Sequence, residues 1–195
     1  RRVGNDAHRA PLRRFLERLA QQRRDVAGLG LAQIRIDPLL RQGFDSLSEA
    51  VRKGGTAVPD EGTVSADNDV WVTFARSMAP MMFPAAQQMA EIAGFDAEKP
   101  VKILDVAAGH GIFGVMMAQR YPIAEVYALD WENVLTVARE NAEKFGVADR
   151  FHQIAGSAFD TDLGEGYDLI LLTNFLHHFD PPTCESFLKR CKAAL

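Results

Sequence analysis

No run of apolar residues in this chain of 195 approaches the roughly 20 needed to cross a bilayer, so a spanning helix is excluded. The Arg-rich start also lacks the apolar stretch of a secretory signal, and a cytoplasmic protein is the default expectation. Cysteine is scarce. Cys184 and Cys191 are the only two, seven apart in a helical pattern; at about 1.5 Å per residue they stand about 10 Å apart, too far to bridge. Ligands at zinc-binding spacing are missing, and no metal site is expected. Excess positive charge is missing too: a net charge of -4 argues against a general affinity for nucleic acid. The imbalance is local, with +6 over residues 1–36 and -10 over the remainder. Without interleaved aromatic residues, that basic arm reads as a solvated helix face and tail, not a stacking platform.

What is present begins with helical periodicity. Leu12, Phe15, Leu16 and Leu19 recur on one face, and Gly28 and Gly30 break the pattern. A second helical stretch follows Pro38 with Leu39, Leu40, Phe44, Leu47 and Val51. The Gly-, Pro- and Ser-rich run from Lys53 to Asn68 reads as a linker. It divides a helical segment over 1–69 from a domain over 70–195. Residues 70–95 are helical in pattern and rich in methionine: Met78, Met81, Met82 and Met89. Pro80 and Pro84 predict two helices there, or one kinked helix. Core packing explains these methionines, but an apolar pocket lined by Phe74, Met78 and Met82 does so as well.

From Pro100 the pattern alternates. Strands are expected over 101–106, 125–129, 151–154 and 167–172. Helices are expected over 112–120, 133–145 and 182–195, the last with Cys184, Phe187, Leu188, Cys191 and Leu195 on one face. This is an α/β pattern: a doubly wound, Rossmann-like, mostly parallel sheet of about four strands, preceded by a helical N-terminal segment. Right-handed crossovers put a ligand at the carboxyl ends of the strands. Such sheets usually continue, so further strands are expected beyond the C-terminal end of this chain.

The stretch Val101-Lys-Ile-Leu-Asp-Val-Ala-Ala-Gly-His-Gly111 carries most of the chemistry. A strand ends in an acid and runs through small residues into a helix, where backbone N–H groups stand free. Gly109-His-Gly-Ile-Phe-Gly114 matches G-x-G-x-x-G, with Asp130 about 20 residues on, which favours an NAD-dependent oxidoreductase. Asp105 tilts the other way. A carboxylate at that place suits a cationic ligand and repels a pyrophosphate.

Ile103-Leu-Asp-Val-Ala-Ala-Gly-His-Gly111 resembles motif I of class I S-adenosylmethionine-dependent methyltransferases. Leu129-Asp130-Trp131 resembles their acidic second motif, Ala155-Gly-Ser-Ala-Phe159 the third, and Leu171-Leu-Thr-Asn-Phe-Leu-His-His-Phe-Asp180 the fourth. With Cys184 to Leu195, that fourth segment is similar to the corresponding region of small-molecule O-methyltransferases of the plant caffeate and bacterial polyketide type. The resemblance covers residues 39–195 and is strongest over 100–195.

The resemblance implies S-adenosyl-L-methionine as cofactor. Backbone at Ala107, Gly109 and Gly111 would approach its methionine part, and Asp105 would hold the ammonium directly or through water. Asp130 would accept from both ribose hydroxyls. Trp131 would lie against the adenine, flanked by Ser157 and Phe159. Ala107 stands where the family has its first glycine, Ser157 where it has Asp, and Thr173 where plant relatives have Lys. The implied reaction moves a methyl group to a hydroxyl of a small, aromatic or otherwise hydroxylated molecule. His177 holds the family's base position, and an unperturbed pKa of about 6.5 suits that work. Asn174 is a candidate for orienting the acceptor. His178 and Asp180 adjoin without a third metal ligand. Before residue 70 such enzymes carry a dimerising region, so a homodimer is an expectation for the complete protein. A non-catalytic module that binds cofactor or a partner is the third reading.

Overall fold

A computed structural model describes residues 45–54 and 69–195. The chain divides into two units, Arg1–Ile34 and Arg35–Leu195, and every described residue lies in the second. The helix expected over 12–19 and most of the expected linker lie outside the described residues. Of the second helical stretch, helix α1 (Leu47–Lys53) is described. Gly54 ends it at φ 75°, returning its N–H to the Ala50 carbonyl. Leu47 and Val51 are exposed.

Helix α2 spans Asp69–Ile92 and runs through both prolines as one helix. Each proline removes an internal hydrogen bond, at a cost of about 3 kcal/mol in an isolated helix. Packing offsets that cost. Ala75, Ala79, Phe83, Ala86 and Ala90 recur at helical spacing and are buried, and α2 lies against helices α3 (Ile112–Arg120) and α4 (Glu132–Lys144). Phe83 stacks on Phe145 with centroids 5.7 Å apart. The Tyr121 hydroxyl, buried at the end of α3, donates to the Ala90 carbonyl at 2.8 Å.

Four parallel strands form the sheet: β1 (Val101–Val106), β2 (Ala124–Asp130), β3 (Phe151–Ala155) and β4 (Leu169–Leu171). Their order is β3-β2-β1-β4. Asp105 lies opposite Ala128 and Leu171, and Asp130 opposite Ala155. Their carboxyl ends therefore share one edge. The strand β4 is shorter than the expected 167–172. The Tyr167 N–H instead donates to the Ala194 carbonyl, at 3.1 Å, and the Asp168 N–H to that of Lys102, at 2.8 Å. At the opposite, amino edge the Arg150 guanidinium donates to the carbonyls of Ala118, Tyr121 and Ala124.

Apolar β1 and β2 are buried on both faces, which is what parallel strands between helix layers require. Helix α4 stops at Gly146 in a Schellman motif: Val147 N–H to Ala142 O, and Gly146 N–H to Glu143 O. Helix α5 (Pro181–Ala194) starts on Asp180, whose carboxylate accepts from the Thr183 N–H at 2.8 Å. Its buried face is Phe187, Cys191 and Ala194, packed with Leu104, Val106, Leu129 and Tyr167. Leu188 and Leu195, expected on that face, are exposed. Leu188 follows the buried Phe187 by one position, which turns it about 100° away along a helix of 3.6 residues per turn, and Leu195 lies past the last residue of α5. No described helix is long and apolar enough to cross a membrane.

Candidate functional site

The sheet's carboxyl edge gathers four loops, and glycine decides the shape of the first. Beyond β1, Ala107, Gly109 and Gly111 all have positive φ, at 52°, 56° and 70°. A Cβ on Gly111 would lie 2.7 Å from the Ala138 Cβ and 2.9 Å from its Cα. One on Gly114 would lie 2.7 Å from Val126 and 3.1 Å from Asp105 Oδ2. Gly111 thus brings the loop against α4, and Gly114 brings α3 down onto the sheet. Ala107 reaches the same left-handed region with a side chain attached, at a cost of about 1 kcal/mol or more.

Asp105 is fully buried. One carboxylate oxygen, Oδ2, accepts from the Gly114 N–H at 3.0 Å, and Oδ1 has no hydrogen-bond partner. Burial pushes its pKa up to about 7, against the pull of the Gly114 N–H and with help from the nearby Asp130 charge. Below about pH 4 the carboxyl is protonated folded or unfolded; up to about 7 only the folded chain keeps the proton. Stability of the ligand-free chain therefore falls as pH rises across that window, with a slope approaching about 1.4 kcal/mol per pH unit. Denaturant midpoints measured from pH 4 to 8 check this. The Asp105→Asn variant flattens the profile.

Asp130 ends β2. It accepts from the Gly109 N–H through Oδ2 and from the Trp131 N–H through Oδ1, both at 2.7 Å. Burial raises its pKa, and those two amides oppose the rise. Each oxygen keeps a further lone pair. Trp131 packs with Ala75, Val134 and Val137, so part of its ring serves the core. Beyond β3, the Gly156 N–H donates to the Asp130 carbonyl at 2.9 Å. Ser157 Oγ accepts from the Phe159 N–H at 3.2 Å. The Phe159 ring joins Phe175, Phe179 and Phe187 in one aromatic cluster.

Asn174, just past β4, also has positive φ, at 54°. Its amide donates to the Met82 sulfur at 3.8 Å, which brings together two of the residues expected to line an acceptor pocket. Met78 is half-buried on the same side of α2, and Phe74 is exposed with Trp71 packed edge-on at 5.9 Å. His177 is exposed in the 3-10 turn Leu176–His178, its ring centroid 4.0 Å from that of His178. Burial and the His177 ring lower the His178 pKa. Among the described residues, no group of His, Cys, Asp and Glu is arranged to hold a metal ion; Asp180 is engaged as the cap of α5.

His110 escaped the reading of the sequence. It is buried inside the glycine loop, its Nδ1 accepts from the Ile112 N–H at 3.1 Å, and its carbonyl accepts from Asn141 at 2.8 Å. Burial takes its pKa down to about 4, so it braces the loop as a neutral ring. Its place within the glycine motif was the available signal.

The glycine cradle, the unpartnered buried acceptor and the acid of β2 describe a nucleoside site with a place for a cation. Comparison with known proteins agrees. A family model described as an O-methyltransferase domain matches residues 46–195. A structure from Nostoc punctiforme PCC 73102, described as a candidate O-methyltransferase, is 52% identical with a TM-score of 0.75, covering 82% of this chain and 48% of that one. The 3-amino-4-hydroxybenzoate 4-O-methyltransferase of Streptomyces cremeus is 30% identical over 129 residues, 65% of this chain and 34% of that protein. The fold is shared with NcsB1, an O-methyltransferase from neocarzinostatin biosynthesis solved with S-adenosylmethionine and 2-hydroxy-5-methyl naphthoic acid (TM-score 0.64, 23% identity, 80% of this chain and 50% of that one). This chain thus spans at most half the length of these relatives. The match displaces the dinucleotide reading of Gly109–Gly114: over three quarters of its length, this chain belongs to the O-methyltransferase domain family.

Proposed function

We propose that the complete protein transfers a methyl group from S-adenosyl-L-methionine to a hydroxyl of a small aromatic molecule, and that this chain supplies the cofactor site and the base. The observation that carries this reading is Asp105, a fully buried carboxylate with one oxygen unpartnered, beside a loop too tight for a side chain at Gly111. A buried acceptor left without a donor costs roughly 1–3 kcal/mol. An ammonium, directly or through water, removes that cost and supplies the charge a carboxylate favours.

When bound, the cofactor supplies a methyl group made electrophilic by its sulfonium. The chain's own residues do the rest. Ala107, Gly109 and Gly111 offer backbone to the methionine part, and Asp105 fixes its ammonium. Asp130 uses its remaining lone pairs for the ribose hydroxyls, while Trp131, Ser157 and Phe159 bound the adenine. Phe74, Met78, Met82 and Asn174 face the acceptor. His177 takes the acceptor's hydroxyl proton onto a ring nitrogen, because the neutral hydroxyl is a poor nucleophile. Residues 1–69 serve in pairing two copies of the complete protein.

Calorimetry with S-adenosylhomocysteine tests the reading. Binding is expected, and it should tighten as pH climbs to about 7, where Asp105 gives up its proton. Binding of NADH together with no binding of S-adenosylhomocysteine would overturn it.

A further inference from the structure

We propose that Arg190 is a positioning residue for the cofactor site: its guanidinium on α5 holds the 157–161 turn that forms the adenine side. This rests on the reading of Ser157 and Phe159 given above. The Arg190 Nη1 donates to the carbonyls of Ala158, at 2.9 Å, and Phe159, and Nη2 donates to that of Thr161 at 2.7 Å. The turn's own amides point elsewhere. Asp160 and Thr161 N–H both close on the Ser157 carbonyl, at 3.2 and 2.9 Å. The carbonyls that face α5 thus take their donors from one side chain, placed about thirty residues away in sequence.

The turn is fixed at its entrance as well. Gly156 is bonded to the Asp130 carbonyl, and a Cβ there would lie 2.2 Å from Thr161 Oγ1, so the loop closes tightly on itself. Arg190 fixes the exit. The Phe159 ring meanwhile packs on Phe179 and Phe187, with centroids 4.8 and 5.3 Å away. Helix α5 starts at Asp180, directly behind the His177 turn. One guanidinium therefore ties the adenine-side turn to the element that follows the base. A planar fork can reach three carbonyls at once. An ammonium, a compact point charge, does not reproduce that geometry.

The test uses the full chain with Arg190→Ala and Arg190→Lys, S-adenosylhomocysteine calorimetry, and amide hydrogen exchange. Each variant is measured well below its own melting temperature. Both variants should bind S-adenosylhomocysteine about 10-fold or more weakly, alanine more so than lysine. Exchange should quicken at 157–161 and stay unchanged at 107–111. A merely structural role would not confine the change in this way. Unchanged affinity in a folded variant, or exchange that quickens throughout the domain, overturns the proposal. If alanine does not fold, the lysine variant alone decides by the same two measurements. Failure of the unsubstituted chain to bind S-adenosylhomocysteine instead sinks the cofactor reading and the proposal with it, a result distinct from unchanged affinity in the variants.

Discussion

Replacing His177 by alanine is expected to lower turnover of the complete protein by about 10²-fold or more and to leave affinity for S-adenosylhomocysteine unchanged. The separation of the two effects follows from where the residue sits. His177 is exposed in a short 3-10 turn, so its loss opens no core cavity. The groups assigned to the cofactor are on β1, β2 and the loops that follow β1, β2 and β3, and none bonds to it. Single-turnover rates with saturating cofactor and a phenolic acceptor read the loss directly. His178, whose ring lies 4.0 Å away, is the available substitute. Residual activity that disappears in the double alanine variant assigns the remainder to His178. Full turnover in the single variant removes His177 from the role of base.

Gly111→Ala is expected to destabilise the chain by about 2–5 kcal/mol and to abolish S-adenosylhomocysteine binding. Two costs combine. A side chain at φ 70° carries the left-handed penalty of roughly 1–2 kcal/mol, and overpacking adds about 1–3 kcal/mol. The obstruction includes the Ala138 Cα at 2.9 Å, which is backbone, so no rotamer change relieves it. Gly109 is the internal control. It shares the positive φ, yet its added Cβ would meet only the Ala107 carbonyl oxygen at 3.8 Å. Gly109→Ala should therefore cost only the backbone penalty. Urea midpoints with unchanged slopes measure both. Equal losses at the two positions would refute the steric argument.

The edge of the sheet that bears the site was legible because its signals are local. The limits of β1 and α3 read from the pattern agree with the structure residue for residue. A run buried on both faces, an acid and a glycine loop leave little freedom. What escaped depends on distant partners. The prolines of α2 leave two helices or one kinked helix open by local rules, and the packing of Ala75, Phe83 and Ala90 on two later helices goes with the single helix. Leu188 looks like a core residue until the rotation of α5 about Phe187 is known. The reach of Arg190 to three carbonyls of another segment has no trace in its own neighbourhood.

Every group assigned to the cofactor, and the base, leaves the sheet at the carboxyl edge, and Arg150 gathers its three carbonyls at the other. Parallel strands make that division permanent: a lengthened turn near Ala148–Arg150 or Gly164–Gly166 alters the rim that only supports. Change in the chain is thereby sorted by direction. One rim can diversify in recognition while its opposite drifts, and neither history need disturb the other.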